Sequence, residues 1–321
     1  MTVRISVVIP TYQRPHLLAD ALASLVCQTM GEFEVLICDN GADDATRDVV
    51  ARFDDPRFHY HPRSENLGML GSVLLGFQDA RAPIVMKLDD DDVLAADALE
   101  RLVEPFDHHP EVTLSFGGVV LVDEQLQPLD DMREYLDRSS GRAWFPEGLI
   151  RPATWLVAQG GVQFAGAAVR KECVDWENVP LDVATAYDLH VCLVAVQHGN
   201  AAWFTRDPVV KYRLHGANDT HRQAARQTVG AVRALERALA SGAHGDLVSL
   251  ERRLSRETLE AGRATLHAGE RRQARALLRR SLELRTTTTA LRLLPMTLLP
   301  SAMTSRLRSA KSGWARSRVG S

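Results

Sequence analysis

Residues 84–93 read Ile84-Val85-Met86-Lys87-Leu88-Asp89-Asp90-Asp91-Asp92-Val93, a short apolar run that ends in four consecutive carboxylates. Four adjacent acids repel one another and are costly at the end of a buried strand unless a cation or water screens them. In extended backbone Asp89 and Asp91 project to the same side. That pair offers hard oxygen ligands of the kind Mg²⁺ and Mn²⁺ take, and such an ion in turn holds substrate phosphates. The plainer alternative is a solvated acidic loop ahead of a helix starting near Asp97.

What surrounds the run favours the ligand reading. Similar apolar, β-branched runs occupy 5–9, 34–38, 57–60 and 112–116. Between them, apolar residues recur at helical spacing: Leu17, Leu18, Ala21, Leu22 and Leu25 after Pro15; Val49, Val50 and Phe53; Leu70, Leu74 and Phe77; Leu99, Leu102, Val103 and Phe106 after Asp97, the expected N-cap. Strand–helix alternation predicts an α/β fold with a mostly parallel sheet covered on both faces. Ligands of such sheets bind outside the carboxyl ends of the strands. The acidic run sits at one of those ends.

Two further loops follow strands. In Cys38-Asp39-Asn40-Gly41-Ala42-Asp43-Asp44, Gly41 permits a tight turn and Asp43 or Asp44 caps the next helix. Asp39 is then left to accept hydrogen bonds from a base or ribose. In Ile9-Pro10-Thr11-Tyr12-Gln13-Arg14-Pro15, two prolines stiffen a loop that presents backbone, an aromatic face and a guanidinium.

The chain has 321 residues, 45% hydrophobic and 25% charged, which excludes a disordered, collagenous or disulfide-scaffold protein. Its net charge of −3 conceals a division. The first 220 residues carry 18 Lys and Arg against 34 Asp and Glu, whereas the last 101 carry 20 against 7. The expected organisation is a catalytic domain over 1–220 and a basic helical region over 221–321, with helical spacing at 231–239, 247–266 and 271–284. Residues 120–160 read as loop-rich, 185–198 as a helix and 201–214 as a strand–turn segment. Cys27, Cys38, Cys173 and Cys192 lie far apart, which suits a reducing cytoplasm. The first residues lack the features of a signal peptide, and no stretch is long and apolar enough to span a bilayer.

Taken together and in order, Ser6-Val7-Val8-Ile9-Pro10-Thr11-Tyr12-Gln13-Arg14-Pro15, Leu25 to Gln28-Thr29, Asp39-Asn40-Gly41, Asn66-Leu67-Gly68 and Leu88-Asp89-Asp90-Asp91-Asp92 closely resemble the family 2 glycosyltransferases of the GT-A fold. The resemblance covers roughly residues 3–217. It implies a nucleotide-diphospho-sugar donor, Mg²⁺ or Mn²⁺, a hydroxyl acceptor on a glycan, lipid-linked or other molecule, and inversion at the anomeric carbon. By the same resemblance Pro10, Thr11, Tyr12 and Arg14 border the nucleotide, and Asp39 contacts base or ribose. Asn66 and Gly68 line the nucleotide pocket, and Asp89 and Asp90 stand on the nucleotide-sugar side. Asp91 is the implied metal ligand, with Asp92 in support. Ala42 stands where the family often has Ser.

An inverting transfer needs a base for the acceptor proton. The family supplies an acid near the start of a later helix, about eleven residues before a Gly. Asp188, before Gly199, matches that position, although Tyr187 and Val194 stand where the family has a Glu and an Arg. Tyr212-Arg213-Leu214-His215 matches a Tyr-Arg-x-His segment. It implies Arg213 beside the diphosphate and His215 at the metal.

Residues 286–321 combine Leu291, Leu293, Leu294, Met296, Leu298 and Leu299 with Arg306, Arg308, Lys311, Arg316 and Arg318. That composition suits a helix lying on an anionic membrane surface, broken at Pro295 and Pro300, and so a peripheral site on the inner face of the cell membrane. Nucleic acid is not the expected partner, since aromatics interleaved with the basic residues are nearly missing. Two competing functions remain. Asp89 to Val93 also fits the Asp-x-Asp-x-(Thr/Val) signature of haloacid-dehalogenase-like phosphatases, with Asp89 as nucleophile and Asp91 as acid, though that strand normally opens the chain. An inactive nucleotide-sugar-binding module is the other.

Overall fold

The computed structural model describes residues 2–214 and 224–298. Parallel strands covered on both faces need near-continuous apolar sequence, and the N-terminal part supplies it. β1 (Ile5–Thr11), β2 (Phe33–Asp39) and β4 (Ile84–Lys87) are buried at every position. β3 (Phe58–Pro62), at the sheet edge, is half-buried. β1 pairs in parallel with β2 on one side and β4 on the other, and β2 pairs in parallel with β3. Helices α1 (Pro15–Val26), α2 (Asp44–Phe53) and α3 (Gly68–Asp79) connect them.

The order β3-β2-β1-β4 fixes where a ligand goes. The chain steps outward from β1, then returns to the other side of it. Such a reversal is a topological switch point, and a crevice opens beyond the carboxyl ends of the two strands flanking it. Here those strands are β1 and β4. The Leu88 amide still bonds the Val8 carbonyl at 3.0 Å, so the acidic run leaves the sheet on the same edge as the Thr11–Arg14 loop.

The second half makes the sheet mixed. Its elements are β5 (Val93–Leu94), α4 (Ala98–His108), β6 (Val112–Val122), α5 (Asp130–Ser139), β7 (Gly148–Ile150), α6 (Thr154–Gln159), β8 (Ala167–Arg170), α7 (Tyr187–Ala195) and β9 (Ala201–Arg213). The sheet continues β4-β8-β6-β9-β5, with β7 also on β9. β8 runs antiparallel to β4 and β6.

Three local expectations change. Residues 120–160 hold α5, β7 and α6 rather than loop alone. The strand–turn segment is one strand: Gly117 faces Thr205 and Gly118 faces Pro208, so the suspected turn is a bulge at Arg206–Asp207. Asp97 precedes α4, but its Oδ1 accepts from the Arg101 guanidinium at 2.6 Å instead of from a helix amide.

The basic region folds as α8 (Ala224–Ser241), α9 (Leu247–His267), α10 (Arg271–Leu284) and α11 (Thr288–Met296). Asp246 caps α9 by accepting from the Ser249 amide at 3.1 Å. Leu235, Leu250 and Leu254 belong to the same buried cluster as Phe77, Phe116, Leu193 and Phe204. Each fully buried Leu or Phe contributes about 1.5–3 kcal/mol, so sheet and helices stabilise one another. Among the described residues no helix is long and apolar enough to cross a membrane. Leu291 and Leu298 are exposed. His215, Pro300 and the last basic residues, Arg306 to Arg318, lie outside the described residues.

Candidate functional site

The acidic run does not stand unscreened; the strands around it supply cations. Lys87, the last residue of β4, is buried and turns its Nζ onto both carboxylate oxygens of Asp89, each at 2.7 Å. Burial alone would press its ammonium down. The carboxylates of Asp89 and Asp188 outweigh that and hold its pKa well above the ordinary lysine value. Arg14, from the loop after β1, reaches Asp90 Oδ1 at 3.3 Å and Asp91 Oδ2 at 3.1 Å. Thr11 Oγ1 donates to Asp90 Oδ2 at 2.8 Å. Burial, opposed by Arg14 and reinforced by Asp91, pushes the Asp90 carboxyl up to about 7.

Asp92 is fully buried and points the other way, toward β9. Its Oδ1 accepts from the Arg213 amide at 3.0 Å, and its Oδ2 has no partner among the described residues. Burial and the neighbouring Asp89 and Asp91 raise its pKa well above the usual carboxylate range.

The Arg213 guanidinium is buried among protein groups. Nε donates to the Asp91 carbonyl at 2.9 Å, Nη1 to the Glu124 carbonyl at 3.1 Å, and Nη2 pairs with Asp20 at 2.7 Å. Arg213 therefore braces the acidic loop against α1.

In the β2 loop Asp39 is fully buried: Oδ1 accepts from the Gly41 amide at 3.0 Å, and Oδ2 from the Asp43 amide at 2.9 Å and from Tyr60 Oη at 2.6 Å. Those bonds fold the loop. Asp43 then takes the capping role, accepting from the Ala45 amide and from Thr46 Oγ1. Asn40 Nδ2 donates to Asn66 Oδ1 at 2.7 Å, and the same oxygen accepts from the Gly68 amide at 2.8 Å. The β2 loop and the entry to α3 are thereby locked together. Pro10 lies within β1 opposite Cys38. The exposed Tyr12 ring lies over Gly41, where an added Cβ would come within 3.2 Å of Cε2.

A cavity of about 330 Å³ opens beside the acidic run. Arg14, Asp89, Asp90 and Asp91 line one side; Lys87, Tyr187 and Asp188 line it from β4 and α7. Asp188 lies in the first turn of α7, whose cap position is Ala186 with no side-chain bond. Its Oδ1 accepts from the Leu189 amide at 2.7 Å. Burial raises its pKa against that bond and the Lys87 charge. A raised carboxylate pKa suits proton abstraction near neutral pH. Lys87 is a charged cleft residue that the sequence reading did not single out, and Tyr187 stood there only as the replacement for a Glu. A lone Lys inside an apolar strand was the available signal for the first.

Among the described residues no three His, Cys, Asp or Glu side chains form a ready metal cage. The acidic run nevertheless has the hard-oxygen chemistry for a divalent ion, and Asp90 is left incompletely compensated. That fits a site of one or two carboxylates completed by ligand phosphates, as Mg²⁺ characteristically takes.

A switch-point crevice lined by clustered acids and facing a half-buried carboxylate defines an α/β group-transfer enzyme. Its fold is GT-A, with additional C-terminal helices. Against Staphylococcus aureus TarS residues 1–349 in complex with UDP-GlcNAc, the TM-score is 0.67 at 14% identity, covering 88% of this chain and 82% of that one. Against the Pyrobaculum calidifontis mannosyltransferase PcManGT, in complex with GDP-Man and Mn²⁺, it is 0.58 at 20% identity, covering 92% and 79%. TuaG of Bacillus subtilis (strain 168), named for teichuronic acid biosynthesis, is 25% identical over 194 residues, 59% of this chain and 77% of its own. Residues 6–157 match Glycosyl transferase family 2. That stretch of the chain is similar to the family, and the protein is a glycosyltransferase, which sets aside the phosphatase reading of Asp89.

Proposed function

We propose that the enzyme transfers a sugar, with inversion, from a nucleotide-diphospho-sugar to an acceptor hydroxyl in cell-surface polysaccharide or glycoconjugate synthesis. The observation that carries this reading is Asp188, a carboxylate with a raised pKa that shares one cleft with Asp89, Asp90 and Asp91. Asp188 accepts the acceptor's hydroxyl proton as that oxygen bonds to the anomeric carbon. The bond from that carbon to the diphosphate breaks, and the nucleoside diphosphate leaves. Arg14 lies against Asp90 and Asp91 and supplies positive charge where the diphosphate would lie. Lys87 holds Asp89 in one orientation. Mg²⁺ or Mn²⁺, held through Asp91, would offset charge on the leaving diphosphate. Thr11, Tyr12, Asn66 and Gly68 shape the nucleotide side.

The donor complexes with TarS and PcManGT give the probes: UDP-GlcNAc and GDP-Man, alongside dTDP donors, with Mg²⁺ or Mn²⁺. Turnover of one donor is expected, and Asp188→Asn should lower kcat by roughly 10²–10⁴-fold while calorimetry shows unchanged donor affinity. A chain that binds none of these donors, or an Asp188→Asn variant with full turnover, would sink the reading. We further propose that the exposed Leu291 and Leu298, with the basic residues that follow, bring the enzyme to an anionic membrane face where lipid-linked acceptors reside.

A further inference from the structure

A second cavity, of about 340 Å³, adjoins the first. Val162, Phe164, Asp188 and Gln227 line both, so Asp188 stands in their shared wall. The far side of the second chamber comes from the helical region: Thr228 and Ala231 on α8, Arg253 and Glu257 on α9. Arg253 and Glu257 face each other one turn apart, Nε to Oε1 at 2.6 Å, and both side chains are mostly buried. Arg253 Nη1 also donates to the Ala158 carbonyl at 3.2 Å, at the end of α6. The next turn is shaped around that guanidinium. Gly160 has φ +88°, and an added Cβ there would stand 2.5 Å from Nη1.

A buried ion pair is a costly way to fill space, since apolar residues of similar volume usually serve as well or better. Here it lines a chamber open to the candidate base. We infer that this second chamber binds the acceptor's sugar ring, with Arg253 and Glu257 as its specificity-determining pair. The inference rests on the transfer reading above.

The chemistry favours an uncharged sugar. Arg253 is paired with Glu257, which Arg256 also approaches at 4.0 Å from outside the lining, and Asp188 adds a carboxylate to the chamber wall, which opposes an anionic ring. A paired guanidinium and carboxylate still offer adjacent donors and acceptors, which suit vicinal hydroxyls. Phe164 and Val162 provide an apolar face for the C–H side of a ring. The Arg253 charge also reaches Asp188, where it opposes the upward push of burial. A hydroxyl entering from this side meets the base before the donor cleft.

The test uses the full chain with its best donor and alkyl glycosides of glucose and N-acetylglucosamine, against the matching glucuronide. The expected result is turnover of the neutral glycosides over the glucuronide. Glu257→Gln and Arg253→Lys should each raise the glycoside KM roughly tenfold to a hundredfold, with donor affinity unchanged by calorimetry. Ala231→Met, which fills the chamber from α8, should raise the same KM and serves if the paired variants fold poorly. Preference for the glucuronide, or unchanged glycoside KM in folded variants that bind donor normally, would overturn the inference. Absence of donor binding in the wild type would instead overturn the transfer reading itself.

Discussion

The α/β part, residues 2–214, and the helical part, residues 224–298, differ in sign of charge but not in the core they share. Opposite charge invites the idea of two bodies drawn together electrostatically, and the contacts argue otherwise. The acids of the α/β part are compensated from within it: Lys87 on Asp89, Arg14 on Asp90 and Asp91, Arg81 on Glu34. Among the described residues, ion pairs crossing to the helical part converge on Asp182, which meets Arg233 at 3.5 Å and Arg237 at 2.9 Å, all substantially exposed. What joins the regions is mostly apolar, with a few hydrogen bonds such as Arg253 to the Ala158 carbonyl: Leu235, Leu250 and Leu254 lie inside the cluster that holds Phe77 and Phe204. Charge follows surface and function, whereas packing decides what folds together.

Deleting everything after residue 223 is the harshest way to break that comparison. If the helices were a separable module, residues 1–223 would remain soluble and bind donor. The shared core predicts loss of the folded state instead. Exposing several large side chains at about 1.5–3 kcal/mol each removes a large share of the 5–15 kcal/mol that holds a domain together. A soluble fragment with a cooperative thermal transition would show that the sheet closes without α8 and α9. Ending the chain after residue 298 should leave folding intact and weaken binding to anionic vesicles.

Much of this was legible in the sequence, and the rest was hidden for identifiable reasons. The strand order that makes a switch point of β1 and β4 is a tertiary fact, whereas the β1, β2 and β4 runs and the acidic motif are local patterns, so the ligand edge at the strands' carboxyl ends could be placed from spacing. The helices at 247–266 and 271–284 were readable from periodicity for the same reason. The packing roles of Asp39 and Arg213 were hidden because their type suits a ligand equally well, and only tertiary partners, Tyr60 for one and Asp20 for the other, show them bracing loops. The Asp188–Arg253 wall joins residues 65 positions apart on different helices, and no motif spans that separation. Where a side chain's role depends on who reaches it, sequence supplies candidates and packing decides among them.

The internal compensation can be sharpened by removing one cation from each region. Lys87→Met leaves Asp89 without its buried partner. Breaking a buried pair from one side costs about 3–5 kcal/mol, measurable by denaturant unfolding. Arg237→Ala removes an exposed partner of Asp182 and should cost about 0.2–1 kcal/mol. Equal effects would mean that charge binds the regions together after all.

A pH-dependent effect comes from proton linkage at Asp90, and it tests the same internal balance. Its folded pKa of about 7 lies above the ordinary value of 3.8, so the folded chain holds that proton more tightly than the unfolded chain. The stability it contributes is complete below about pH 3.8 and is lost as pH rises through about 7. Between pH 5 and pH 8 the loss from this group should be about 2 kcal/mol, read as the difference in unfolding free energy between wild type and Asp90→Asn. A divalent ion with a nucleoside diphosphate should remove most of that slope, because added positive charge favours the carboxylate. Its stabilisation should therefore be larger at pH 8 than at pH 5.5. A pH-independent difference between wild type and variant would show that Arg14 and Thr11 already satisfy Asp90 in its charged form.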